Sequence, residues 1–545
     1  MTVGIHPHNQ VPELKDYNLY ASDPALRRAV ARGGAQWADE ELVRQGAEYG
    51  AEATLRAAED ANRYEPELHT HSPTGERIDF VKFHPAWHTM MAMARRNGIA
   101  NRPFFDERPS AWVAYGASLY MHAQIESGST CPTTMTKACI PVLRRNPALY
   151  AEVAARLASR EHDARDIPWL HKPSITVGMG MTEKQGGSDV RTNESTAVYA
   201  GEGPWGGEYR INGHKWFFSA PMCDGHLVLA RTEGRGPSCY FVPRWRPDGG
   251  KNAIHIQRLK DKVGNRSNSS SEVEFKDAWG VLVGEEGRGI PTIIEMATTT
   301  RLDCALASAG FMRQALVQAL HYARNRYAFG KALAEQPVMT ALLADMALEA
   351  ESATVLAFDL AARFGSQEPL DVAWRRLLTP AAKFWNCKRA VALTGEAMEV
   401  FGGNGYVETG PMGRLFREAP VNSIWEGSGN VMALDVLRAV ARNPDDAHRV
   451  LDHLAGVASQ EPRLAAQVQW LRGSIQQPPE QLEPQARRFT QRLVLTAQAC
   501  LMLEQAGSAA SAAFINSRFD PDWGAVTGIS AGTGKPEELL QAAWA

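Results

Sequence analysis

Glu426 lies in Ile424-Trp425-Glu426-Gly427-Ser428-Gly429-Asn430, a carboxylate set between bulky apolar residues and a glycine-rich run. Beside Ile and Trp such a group loses hydration, which raises its proton affinity and suits it to act as a general base. The glycines behind it let a backbone come close to something flat or bulky. The same letters also read as a helix N-terminus. Gly427, Ser428 and Asn430 then cap "VMALDVLRAVAR", and Glu426 sits at the positive end of the dipole. One residue can do both. A second stretch, "MGMTEKQGGSD" (179–189), pairs glycines with Ser and Asp. It exposes consecutive backbone N–H groups that suit a phosphate or another anion, although a tight β-turn explains the same letters. In "YARNRYAFGK" (322–331) Arg326 offers a planar charged fork for a pyrophosphate and Phe329 an apolar face. Basic residues and a glycine at a helix C-terminus give the plainer explanation. "FGGNGY" (401–406) reads as a helix-terminating loop.

Elements of two different periods must carry these stretches. From about Asp23 to Trp169 the chain is Ala/Arg/Glu-rich with helical spacing, broken by Pro and Gly into separate helices. From Ser174 to Val283 it alternates and is β-branched: "ESTAVYAG", "HKWFFSA", "HLVLART", "SCYFVPRW" and "SSSEVEFKDA" read as strands. They predict an antiparallel domain, a small barrel or a sandwich. After "GEEGRGI" four long amphipathic helices follow, the last being "NVMALDVLRAVAR". A final segment carries further helices around the break "QQPPEQLEP". The expected fold class is multidomain α+β. It comprises an N-terminal all-α domain (1–173), a middle antiparallel β-domain (174–290), a C-terminal four-helix bundle (291–442) and an extra helical domain (443–545).

Composition narrows the function. The 545 residues exceed one ordinary core, and 44% hydrophobic with 22% charged residues fits a globular enzyme. A net charge of -3 gives no bulk electrostatic case for nucleic acid or a membrane. Seven scattered cysteines without a C-x-x-C pair predict reduced thiols, no disulfide framework and no metal site. No apolar run approaches the roughly 20 residues needed to span a bilayer. The N-terminus has no signal-peptide pattern, so a cytoplasmic protein is expected.

The order of the motifs within a helix–β–helix frame carries more than any one of them. From about residue 60 to 442 the chain resembles the acyl-CoA dehydrogenase family through "MTEKQGGSD", "NGHKWFFSA", "LKDKVGNRSNSSSEVEF", "GEEGRGI", "YARNRYAFGK", "FGGNGY" and "IWEGSGN". The resemblance implies non-covalent FAD and a homotetramer. It places Met179, Thr182, Gly187 and Ser188 at the flavin ring and pyrophosphate, and Phe217, Phe218 and Ser219 as a wall for the isoalloxazine. Arg326, Phe329, Gln336, Gly402 and Gly403 are implied to reach FAD bound to a neighbouring subunit. Trp425, Ser428 and Asn430 fall on the flavin side, and Glu426 takes the position of the family's usual catalytic base. One branch places its base just before an arginine that matches Arg301; here that residue is Thr300, so Glu426 has no competitor.

Several stretches depart from the common form. "TEKQGGSD" replaces Thr-Glu-Pro-Gly-Ala-Gly-Ser-Asp, Phe217 beside Trp216 replaces an indole, and Trp-Glu-Gly-Ser replaces Tyr-Glu-Gly-Thr. With "CPTTMTKACIPVL", "QVPELKDYNLY" and the extra C-terminal segment, these resemble the branch that serves the bacterial adaptive response to DNA alkylation. That implies double-stranded DNA as a partner, protection of DNA or destruction of alkylating agents, and at most weak isovaleryl-type acyl-CoA dehydrogenase activity. The alternative is a metabolic acyl-CoA dehydrogenase with an extra assembly domain. Charge alone does not argue for DNA, since residues 441–545 hold nine Lys/Arg against eleven Asp/Glu. Arg487, Arg488 and Arg492 nevertheless share a helical neighbourhood. Together with Arg438, Arg442, Arg472 and Arg518 they are the expected phosphate contacts.

Overall fold

The computed structural model describes residues 9–505, 508–520, 523 and 536–543. The chain packs as two compact units, one drawn from Met1–Leu55, Trp112–Ile125 and Cys304–Ala545, the other from Arg56–Ala111 and Glu126–Asp303.

The second unit is built on a closed sheet. A two-stranded hairpin, β1 (Glu67–His71) and β2 (Arg77–Lys82), interrupts a region expected to be wholly helical. Its alternating "ELHTH" and "RIDFVK" flank the turn "SPTG", a period-2 signal that the helical reading passed over. Seven further strands follow: β3 (Val177–Gly180), β4 (Thr196–Gly203), β5 (Gly206–Ser219), β6 (Gly225–Arg231), β7 (Pro237–Pro243), β8 (Ile254–Leu259) and β9 (Ser270–Val283). Pairings run β6–β4–β5–β9–β7 and return from β7 to β6, so the strands close as a barrel, with β3 and β8 attached at its sides. Closure satisfies the edge strands that an open sheet would expose. The helices Thr130–Leu143 and Pro147–Ala158 lie on it, with Ile140, Leu149, Trp169, Leu227 and Phe241 in one fully buried core.

The first unit holds the bundle. Its long helices are Gly289–Asn325 (from Cys304 onward), Pro337–Phe364 and Pro369–Val400, with Pro411–Asn422 and Gly429–Arg442 completing it. Asn386, fully buried, donates to the Ala305 and Ala353 carbonyls and so ties three of these helices together. The last hundred residues form helices Pro444–Ala458, Pro462–Ser474, Ala486–Gln505, Ser508–Arg518 and Pro536–Ala543. They do not stand apart. Ala486–Gln505 packs along Pro337–Phe364, Pro369–Val400 and Gly429–Arg442.

This packing corrects one expected DNA contact. Arg518 is 4% exposed and pairs with Asp345 and with Glu349, the latter at 3.0 Å. Glu349 also accepts from Arg389 at 3.0 Å. Burial opposes both charged forms. The mutual attraction outweighs it, holding the Glu349 carboxyl below and the Arg518 guanidinium above their ordinary values. Arg518 therefore anchors the C-terminal helices and cannot meet a phosphate. Replacing it takes the buried Asp345 carboxylate's arginine away and leaves Glu349 with Arg389 alone. Arg518→Met is expected to cost about 3–5 kcal/mol in denaturant unfolding, a loss that added salt does not reproduce.

Candidate active site

In the first unit the site is built around Glu426. Val421 to Ser423 ends one helix, and the next begins at Gly429 with Ser428 as its N-cap. The Ser428 side chain makes no capping bond, so the plain helix-cap reading explains little here. Glu426 is half-buried and has φ +58, left-handed for a residue with a Cβ, and Gly427 follows at φ +102. Such a backbone costs about 1–3 kcal/mol and persists only where neighbours fix it.

Lys383 fixes it. This lysine is 1% exposed on helix Pro369–Val400, and its ammonium donates to the Trp425 carbonyl at 2.7 Å and to the Gly427 carbonyl. The two carbonyls flank Glu426, so one buried cation grips the loop on both sides of the acid. The expected shielding by Ile424 is absent within the chain, since Ile424 is 66% exposed. Trp425 is half-buried, and its indole N–H is buried without a hydrogen-bond partner among the described residues. Thr300, at the alternative base position, is buried and donates to the Met296 carbonyl at 3.2 Å; its side chain is no proton acceptor at neutral pH.

Two further motifs come together in the same unit. Tyr322 stacks on Phe401 with centroids 4.2 Å apart, and Asn404 donates to the Tyr322 hydroxyl at 3.1 Å, joining "YARNRYAFGK" to "FGGNGY". A two-residue hairpin, β10 (Tyr327–Ala328) with β11 (Lys331–Ala332), puts Phe329 at its tip, 97% exposed with φ +53. Gln336 donates to the Ala328 carbonyl at 3.0 Å, which braces that hairpin, and Arg326 donates to the Asn9 carbonyl. Gly402 and Gly403 face open space, with nothing within 4 Å of where a Cβ would stand.

In the second unit the turn after β3 is held by Glu183, a residue the sequence reading left aside. It is fully buried and accepts from Lys215 at 2.6 Å, Ser195 Oγ at 2.7 Å and the Glu194 N–H at 2.7 Å. Burial alone would raise its pKa, but Lys215 and these donors pull it down to about 2. A Cβ on Gly187 would stand 2.6 Å from Thr182 Oγ1, so only glycine fits there. Gly187 and Ser188 are exposed, and Met179, Thr182 and Ser219 are half-buried. The strand irregularity between Lys215 and Phe218 turns Trp216 and Phe217 toward Lys260, whose ammonium lies 3.6 Å and 4.7 Å from their ring centroids. Phe217 stays 57% exposed. Phe218 does not. It is fully buried, stacked on His226 at 4.0 Å, so its ring packs the barrel and offers no wall to a ligand. The family resemblance implies one role for both phenylalanines, yet the strand turns them to opposite faces.

Within the first unit, the open backbone at Gly402 and Gly403, the exposed Phe329 and a Trp425 N–H without a partner among the described residues fit a large planar ligand; the barrel unit separately offers the exposed Phe217. A barrel, a helical bundle and a lysine-held acid in the loop before a bundle helix define a flavin-dependent dehydrogenase of the acyl-CoA dehydrogenase class. Residues 178–278 match the acyl-CoA dehydrogenase middle domain, 287–441 the acyl-CoA dehydrogenase C-terminal domain, and 9–164 the adaptive response protein AidB N-terminal domain. The chain belongs to the AidB branch of the acyl-CoA dehydrogenase family, being 45% identical to AidB of Escherichia coli (strain K12) over 501 residues, 91% of each chain. It is also 31% identical to acyl-CoA dehydrogenase family member 11 of Caenorhabditis elegans over 77% of this chain and 70% of that one. Among solved structures, Bd2924 in its apo form superposes with a TM-score of 0.83 at 27% identity, over 91% of this chain and all of that one. Caenorhabditis elegans ACDH-11 in complex with C11-CoA shares the fold with a TM-score of 0.83 at 24% identity, over 100% and 93% of the two chains. Family membership makes this a FAD-dependent oxidoreductase.

Lys383 gives a test separate from the acid itself. Lys383→Met leaves two carbonyls without their donor, a loss of about 1–3 kcal/mol of stability. It also frees Glu426 to move, which is expected to slow bleaching of the flavin by isovaleryl-CoA roughly a hundredfold with KM little changed. A stable, FAD-replete variant that bleaches at the parental rate refutes the positioning role.

Proposed function

We propose that the chain is a flavoprotein whose Glu426 acts as a general base on a thioester substrate and which also binds double-stranded DNA in the response to alkylation. FAD, when bound, supplies a hydride acceptor. Glu426 takes the proton from the carbon α to the thioester carbonyl, onto a carboxylate oxygen. Lys383 keeps that carboxylate on a loop that cannot relax into the helix. The observation that carries this reading is the buried Lys383 bridge across the two carbonyls flanking Glu426.

The cofactor contacts proposed here are Met179, Thr182, Gly187, Ser188, Phe217 and Ser219 from one unit. Arg326, Phe329, Gln336, Gly402, Gly403, Trp425, Ser428 and Asn430 come from the other. Exposure of Phe329 at 97% and Tyr406 at 86% supports their burial against a second copy of the chain, consistent with a homotetramer. No helix among the described residues is long and apolar enough to cross a membrane.

DNA binding and protection against alkylation are proposed from the AidB branch. Their local support is the exposure of Arg438, Arg442, Arg487 and Arg488 and the half-exposure of Arg492. Arg472 is already engaged with Asp452 and contributes less. The metabolic alternative draws support from the C-terminal helices, which pack within the bundle unit as an assembly element would.

Bleaching of the flavin by isovaleryl-CoA is expected to fall on the order of 10²–10⁴-fold in Glu426→Gln; an unchanged rate removes Glu426 from the chemistry. Gel retardation of a duplex is expected to weaken steeply as salt rises. Arg438→Gln and Arg442→Gln should each lower the slope of log affinity against log salt by about 1. Salt-insensitive retardation, or none, favours the metabolic reading.

A further inference from the structure

Lys388, Arg487, Arg488 and Arg492 converge on one cavity of about 450 Å³, whose remaining walls are Phe384, Trp385 and Gln491. No carboxylate lines it, and among the described residues none of the four cations forms an ion pair with an acid. Elsewhere this chain neutralises its cations closely, as at Arg518, Lys215 and Arg472. Four like charges with no acid beside them among the described residues repel one another, and an anion placed among them relieves that repulsion.

The forks are held by aromatic rings instead of acids. The Arg487 guanidinium lies 5.4 Å over the Phe384 ring, and those of Arg488 and Arg492 lie 5.4 Å and 4.3 Å over Trp470. Stacking orients a guanidinium without quenching its charge, which leaves the N–H edge for a ligand. Burial, and then the Arg487 charge, lower the Lys388 pKa; burial, and then Arg488, lower that of Arg492. Trp385 is 7% exposed, and its indole N–H has no partner among the described residues. The cavity thus presents planar forks and a point charge against buried aromatic walls.

We propose that this cavity is a phosphate-binding site that takes the phosphate of a nucleotide, with Arg487, Arg488 and Arg492 as forks and Lys388 as the point charge. The phosphate belongs either to a nucleic-acid strand or to a free nucleotide. The inference deepens the duplex-binding reading and rests on it only for the strand as the source. The site is also tied to the catalytic loop. Arg487 Nη1 donates to Asn430 Oδ1 at 2.8 Å, and Lys388 packs so closely on Gly429 that a Cβ there would stand 2.7 Å from its Cε. The cations that receive the phosphate therefore also hold the first turn after Glu426.

Calorimetric titration of the FAD-loaded full chain with inorganic pyrophosphate tests the site, followed by competition against a labelled duplex. Saturable binding at one site per chain is expected, weakened at least about tenfold in Arg488→Gln/Arg492→Gln. Should that double variant not fold, the single Arg492→Gln variant is expected to weaken binding in the same direction. Displacement of the duplex by pyrophosphate assigns the strand as the source, whereas saturable binding without displacement assigns the free nucleotide. Both outcomes uphold the site. Absence of saturable pyrophosphate binding overturns it, as does equal binding by variants that keep parental FAD content and melting. A duplex that is never retarded while pyrophosphate still binds defeats the DNA reading and leaves the cavity standing.

Discussion

A buried ammonium must find oxygen, and in this chain Lys383 finds it in the carbonyls of Trp425 and Gly427. Moving such a charge out of water costs several kcal/mol unless every N–H is well met, so the lysine and the loop hold each other in place. The residue caught between the two carbonyls is Glu426, in a left-handed conformation that a free loop would abandon for helix. The helix Gly429–Arg442 starts where it does because the grip ends at Gly427. The bundle helix Pro369–Val400 thereby sets the position of the acid.

The barrel unit uses the same device with the charges arranged differently. There a buried carboxylate, Glu183, gathers Lys215, Ser195 and backbone N–H groups, and the turn running to Gly187 and Ser188 is fixed as a consequence. Neither Lys383 nor Glu183 need touch a substrate. Each is a cheaper means of precision than a loop packed only by apolar contacts, because a buried charge tolerates little displacement before its hydrogen bonds fail. Loops that must stay exposed to bind a large cofactor can have few apolar contacts of their own. That requirement leaves buried polar anchors as the way to keep them rigid.

Much of this was legible in the sequence. The change from helical to alternating period near Ser174 and back after "GEEGRGI" marks the barrel, and the order of the glycine-rich stretches marks the family. Three features escaped for physical reasons. The hairpin Glu67–Lys82 is short and lies between helices, so its period-2 pattern was outweighed by its neighbours. Phe217 and Phe218 look equivalent as letters, but a strand sends consecutive side chains to opposite faces, and one of them had to be core. Arg518 reads as a surface cation because its partners, Asp345 and Glu349, are some 170 residues away in the chain. Lys383 did leave a signal, since it shares a helical face with Cys387, Ala390 and Thr394, all buried. A buried lysine on such a stripe calls for a partner, and it finds two in carbonyls of the loop that carries the acid.

Proton removal can be followed apart from oxidation, and it bears most directly on the lysine-held acid. Isovaleryl-CoA incubated with the FAD-loaded chain in D2O and examined by mass spectrometry reports exchange at the carbon α to the thioester. The account requires deuterium to enter that position with the parent chain and to fall to the uncatalysed level with Glu426→Gln. Equal incorporation by both would mean that another group moves the proton, and Glu426 would then be no more than a strained turn residue.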